Sequence, residues 1–120
     1  MNGIAFGAGC EITEAAPLAL ASDRARFSKP EIRLGFPPPF GGTQRLPRLI
    51  GRKRALQMIL TAEPIDAEQA ARIGLVNRTV EHAALLSEAL ACRRDRLPAR
   101  HRYVLVPAQV SFSRGIRRRG

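Results

Sequence analysis

Three consecutive prolines, Pro37, Pro38 and Pro39, stand inside GFPPPFGG at residues 35–42. Proline fixes φ and carries no N–H, so this stretch holds a polyproline-like path that neither a helix nor a central strand can continue through. A chain of 120 residues interrupted in this way has to be assembled from short elements on either side of a rigid loop. One domain is the most that this length supports.

Before the loop, residues 2–11 read NGIAFGAGCE. The apolar stretch 4–6 predicts a strand, Gly7, Ala8 and Gly9 a tight turn, and CEITEAA a helix closed by Pro17. Residues 18–21 predict a short buried strand, followed by a polar turn at Ser22, Asp23 and Arg24. Residues 27–34 are expected to be a second extended piece, since Pro30 moves Lys29 out of the helical region. After the loop, residues 43–50 predict a helix with Leu46, Leu49 and Ile50 on one side. Residues 53–60 repeat the pattern with Leu56, Ile59 and Leu60. Asp66 followed by Gln69 resembles a capping box, and Gly74 falls where a left-handed residue would end a helix over 67–73. Residues 75–80 are expected to be extended, and 81–91 helical with Leu85, Leu86, Ala89 and Leu90 inward.

The formal net charge of +10 suggests a nucleic-acid partner until it is divided by position. Residues 1–92 hold 11 basic and 9 acidic side chains, whereas 93–120 hold nine Arg and only Asp95. The excess therefore belongs to a tail with Pro98 and Pro107 and no helical stripe, expected to be separate and unpatterned, and the product of a shifted reading frame. Without Trp, and with Tyr103 the one tyrosine, stacking platforms for single strands are few. Cys10 and Cys92 form no CxxC and have no histidine at ligand spacing, which argues against a metal site or a disulfide scaffold. Neither an apolar run of membrane-spanning length nor a secretory signal is visible. A soluble cytoplasmic chain is the expectation.

Two features could carry chemistry. The glycine turn lets backbone approach a ligand, and a helix starting there presents unpaired N–H groups and the positive end of its dipole to an anion or oxyanion. It reads equally as a bare strand-to-helix turn, because the spacing puts Ile12 where a dinucleotide fingerprint needs its third glycine. Glu11, in the first helical turn, is placed to stay ionised. Glu31, between Pro30 and Ile32, is placed to be desolvated and protonated, and such a pair makes a base and an acid. The same residues also read as a helix-stabilising glutamate and a solvated loop glutamate. His82 and His101 have no partner at meaningful spacing and are expected at the surface. Cys10 is expected to be a small buried side chain.

Taken together, NGIAFGAGCEI, SDRARFSKPEIRLG and FGGTQRLPRLIGRKRALQMILTAEPIDAEQAARIGLVNR resemble the crotonase superfamily, specifically its enoyl-CoA hydratase members, from residue 2 to about residue 92. The resemblance implies an α/β fold, a partial crotonase-like (ClpP/crotonase) fold of short strands with helices packed outside. The family's CoA-binding strands and first oxyanion donor would precede residue 2, and its helical trimerisation region would follow residue 92. It further implies an acyl-CoA thioester gripped by the Ala8 N–H within the Gly7–Ala8–Gly9 turn. Glu11 would activate water and Glu31 would protonate the α carbon, giving syn hydration of a 2-enoyl-CoA. No cofactor is implied beyond the coenzyme A of the substrate, and no metal.

Family members are homo-oligomers. Where the family has a glycine whose N–H helps to hold the water, this chain has Pro39, and Phe40 replaces a small residue. An enoyl-CoA isomerase using Glu31 alone is the near alternative. A basic binding module using the Arg tail is the alternative from another class.

Overall fold

The computed structural model describes residues 1–95. The apolar stretch ahead of the glycine turn forms strand β1, Ile4–Phe6, and helix α1, Ala8–Ala15, starts directly behind Gly7. Strand β2, Leu20–Ser22, follows, and then β3, Arg26–Ser28. Residues 27–34 are not one extended piece, because Pro30–Leu34 is a 3-10 helix. Pro30 does keep Lys29 out of the helical region, but its own fixed φ suits the first position of a helix, so it starts a helical segment here.

Beyond the proline loop lie α2, Gly42–Ile50, α3, Arg52–Thr61, β4, Ile65–Asp66, and α4, Ala67–Arg72. They are followed by β5, Arg78–Val80, a 3-10 turn, His82–Ala84, and α5, Leu85–Asp95. The Asp66 side chain accepts the Gln69 N–H at 2.7 Å, as the capping pattern anticipates, and Gly74 takes the left-handed φ of +87°. Asp66→Ala should therefore lower stability by about 1 kcal/mol in urea titrations.

Two small sheets result. In the first, β1 pairs in parallel with β3, which pairs antiparallel with β4, and in the second β2 pairs in parallel with β5. The core is made largely of small side chains, with Ala5, Ala21, Ala25, Ala55, Ala67 and Ala70 joined by Cys10, Leu46, Met58 and the fully enclosed Phe27. Alanine on β1 lets α1 lie close over the sheet, with Gly9 facing Ala5. In α2, Leu46 and Ile50 are buried but Leu49 is exposed. In α3 the core takes Ala55 and Met58 and leaves Leu56 and Leu60 outside. Two apolar faces run along α3, and packing turns the one with Ala55 and Met58 inward.

Met1–Leu85 form one compact unit, and a second begins at Leu86. Leu86, Ala89 and Leu90 of α5 are exposed, against the expected inward stripe. Spacing specifies a stripe but not an element to cover it. Helix α5 runs past Cys92 to Asp95, and the rest of the Arg-rich tail, with His101, lies outside the described residues. Among the described residues no helix is long and apolar enough to cross a membrane.

Candidate active site

The site is built around the entry to α1. Gly7 leaves β1 with φ +54° and ψ −118°, and its N–H donates to the Ser28 carbonyl of the neighbouring β3 at 3.0 Å. An L-residue rarely adopts that φ. Gly7 ties the two parallel strands together while turning the chain into the helix. No side chain caps α1, so the N–H of Ala8, at its first position, has no acceptor within the helix.

Two carboxylates are brought to this end of α1. Glu31 sits in the first turn of the 3-10 helix and is almost wholly buried. A Cβ placed on Gly7 would stand 3.7 Å from its Oε1, so the carboxyl lies directly over the glycine turn. Neither of its oxygens has a hydrogen-bond partner. Glu11 is one turn into α1, with its own N–H bonded to the Gly7 carbonyl. It is 2% exposed, and its Oε1 accepts two backbone N–H groups, from Phe40 at 3.0 Å and Gly42 at 2.7 Å. Its Oε2 is buried without a partner. The proline loop thus delivers the N–H of Phe40, immediately after Pro39, to the carboxylate. Glycine at position 42 leaves room for this arrangement, because a Cβ there would come within 2.6 Å of Glu11 Oε1 and 2.7 Å of Lys29 Nζ and displace one of them.

A buried ion pair adjoins the site, and neither partner stood out in the sequence. Lys29 and Glu14 are paired with both side chains fully enclosed. Burial pushes the Glu14 carboxyl above its ordinary range even though Lys29 pulls it down. Cys10 lies against the same group, its Sγ 3.6 Å from Glu14 Oε1. Burial, which outweighs the nearby ammonium, pushes this thiol up to about 12. A thiol so enclosed has negligible thiolate at neutral pH. Iodoacetamide should therefore modify Cys92, which is half-buried, in the native chain, and should reach Cys10 only after unfolding, as peptide mass spectrometry would show.

His82 departs from its expected free surface position. Its Nδ1 lies 2.9 Å from Ser22 Oγ, and its backbone N–H donates to Asp23 Oδ1 at 3.1 Å, fastening the segment after β5 to the turn after β2. A separate cavity of about 220 Å³, bordered by Arg54, Met58, Thr61, Ile65 and Gln69 among others, includes none of the expected site residues.

Comparison with known proteins identifies relatives of the chain as a whole. The chain matches the enoyl-CoA hydratase/isomerase family over residues 1–118, beyond the point near Cys92 where the motifs end. It is 52% identical over 89 residues to the short-chain-enoyl-CoA hydratase of Clostridium acetobutylicum, covering 74% of this chain and 34% of that one. The crotonyl-CoA hydratase of Syntrophomonas wolfei is 49% identical over 88 residues, with 73% and 34% covered. Among solved structures, an enoyl-CoA hydratase from Mycobacterium paratuberculosis superposes with a TM-score of 0.80 at 30% identity, over 94% of this chain and 55% of that one. The enoyl-CoA hydratase from Bacillus anthracis gives 0.72 at 42% identity, over 74% and 34%. The chain thus spans about a third of the length of these two curated relatives. Its α/β arrangement is a partial crotonase-like fold, and by sequence and structure together it belongs to the enoyl-CoA hydratase/isomerase family.

Proposed function

We propose that this chain carries the acid–base portion of an enoyl-CoA hydratase site and acts on a 2-enoyl-CoA thioester. The observation that carries the reading is the pair of buried glutamates at one helix entry, one with a single free oxygen and the other with two. Glu11 Oε1 is held by two amides, so Oε2 is the oxygen available to a water molecule. As Oε2 takes a proton from that water, its oxygen bonds to the β carbon of the substrate. The π electrons of the double bond move onto the thioester carbonyl, giving an enolate-like oxygen.

The Ala8 N–H, at the positive end of α1, is the donor for that oxygen, a contribution of about 100- to 1000-fold in rate. Glu31, over Gly7, supplies the proton to the α carbon. One proton is gained by Glu11 and one lost by Glu31, and exchange with solvent resets both. Coenzyme A enters as part of the substrate. A soluble cytoplasmic setting and assembly of copies of the chain, which the resemblance to the family implies, complete the proposal. The test is direct. The purified full chain should convert crotonyl-CoA to 3-hydroxybutyryl-CoA, read as loss of enoyl-thioester absorbance. A folded chain that leaves crotonyl-CoA untouched contradicts the reading.

A further inference from the structure

Lys29 is fully enclosed, and nothing in the hydration chemistry uses it. Its Nζ pairs with Glu14 on one side. On the other, Nζ and Glu11 Oε1 flank one point, the position that a Cβ on Gly42 would occupy, each within 2.7 Å of it but with no ion pair formed between them. Two buried glutamates of α1, Glu14 in direct ion pair and Glu11 across the Gly42 position, lie beside this single enclosed ammonium, and the Cys10 thiol meets Glu14. On α2, Arg45 is directed to Gly41 and the Phe40 carbonyl.

A buried carboxylate without a cation or donors nearby is strongly disfavoured, and two amides alone leave the charge of Glu11 without a counterion. We propose that Lys29 is a positioning residue for Glu11. Its ammonium, anchored by Glu14, fixes Oε1 beside the Phe40 and Gly42 amides and so leaves Oε2 as the one oxygen free to act. Glu14 holds the lysine and takes no part in the reaction. The assignment rests on the hydratase reading for its consequence in rate, but not for its geometry.

Because Lys29→Met alone leaves Glu14 uncompensated, the test compares two folded full-length variants, Glu14→Gln and Glu14→Gln/Lys29→Met, which differ only at the lysine. With crotonyl-CoA, the double variant should show kcat lower by about tenfold or more than Glu14→Gln, with KM unchanged, since a misplaced base costs rate and not binding. In ¹⁵N spectra without substrate, the Gly42 and Phe40 amide resonances, which report on Glu11 Oε1, should move between the two variants. Equal kcat in the two, or a fall in kcat matched by a rise in KM, overturns the proposal, as do unmoved amides. If the wild-type chain fails to hydrate crotonyl-CoA, the hydratase reading falls and the amide comparison alone decides the place of Lys29.

Discussion

Glu11→Gln should lower hydration of crotonyl-CoA by about 10²- to 10⁴-fold, the range for loss of a positioned general base or acid, with Glu31→Gln falling in the same range. The amide of Gln can still accept one backbone N–H, but the group no longer accepts a proton from water. The two variants separate when the substrate is 3-butenoyl-CoA, whose double bond can migrate without water being added. Proton removal and return on one face needs a single shuttle over the glycine turn. Glu31 lies there, and Glu11 does not contact that position. Glu31→Gln should abolish any migration, whereas Glu11→Gln should spare it. Hydration retained in Glu11→Gln, followed by product chromatography, would remove Glu11 from the chemistry.

Lys29→Met should lower stability by about 3–5 kcal/mol near neutral pH, because it leaves Glu14 enclosed with no opposite charge. The size of this deficit should depend on pH. The Glu14 carboxyl is already raised above its ordinary value of 4.5 by burial, so the folded chain holds that proton more tightly than the unfolded one. Its contribution to stability is then fully present below the unfolded value and is lost as pH rises through the folded one. Without Lys29, which pulls Glu14 down, the folded value rises further. Urea midpoints for wild type and Lys29→Met should therefore converge near about pH 4.5 and separate as pH rises. A constant gap across that interval would show that the lost side chain matters through packing alone.

How much of this could be read from the residues depends on the range of the interaction. The strand, glycine turn and helix at 4–15 and the Asp66 cap were legible because each is specified by neighbours a few residues apart. Pro30 was legible as a break but not as a start, since the same fixed φ ends one conformation and begins another. In α3 two apolar faces compete, and only packing selects Ala55 and Met58 over Leu56 and Leu60.

At the site, Glu11, Glu31 and the turn stood out from their local settings and from the family's motifs. Pro39 pointed to a missing donor for the water, and the neighbouring Phe40 N–H goes to Glu11. That contact depends on the path of the loop in space. Lys29 with Glu14, and Ser22 with His82, join residues 15 and 60 positions apart on different elements. Such pairs have no periodic signature. The one hint was compositional, as Lys29 is one of only two lysines beside 18 arginines. A single flexible ammonium suits an enclosed niche between carboxylates that a planar guanidinium would not fill in the same way.

In the proposed site, the entry to α1 receives a thioester oxygen between two working carboxylates. This grip is tested most directly by titrating ¹⁵N-labelled full chain with butyryl-CoA, a saturated thioester that can bind but cannot react. A saturable downfield movement of the Ala8 amide, absent with free coenzyme A, is the predicted result. An Ala8 amide that stays in place while butyryl-CoA saturates the chain would rule out this grip on the thioester.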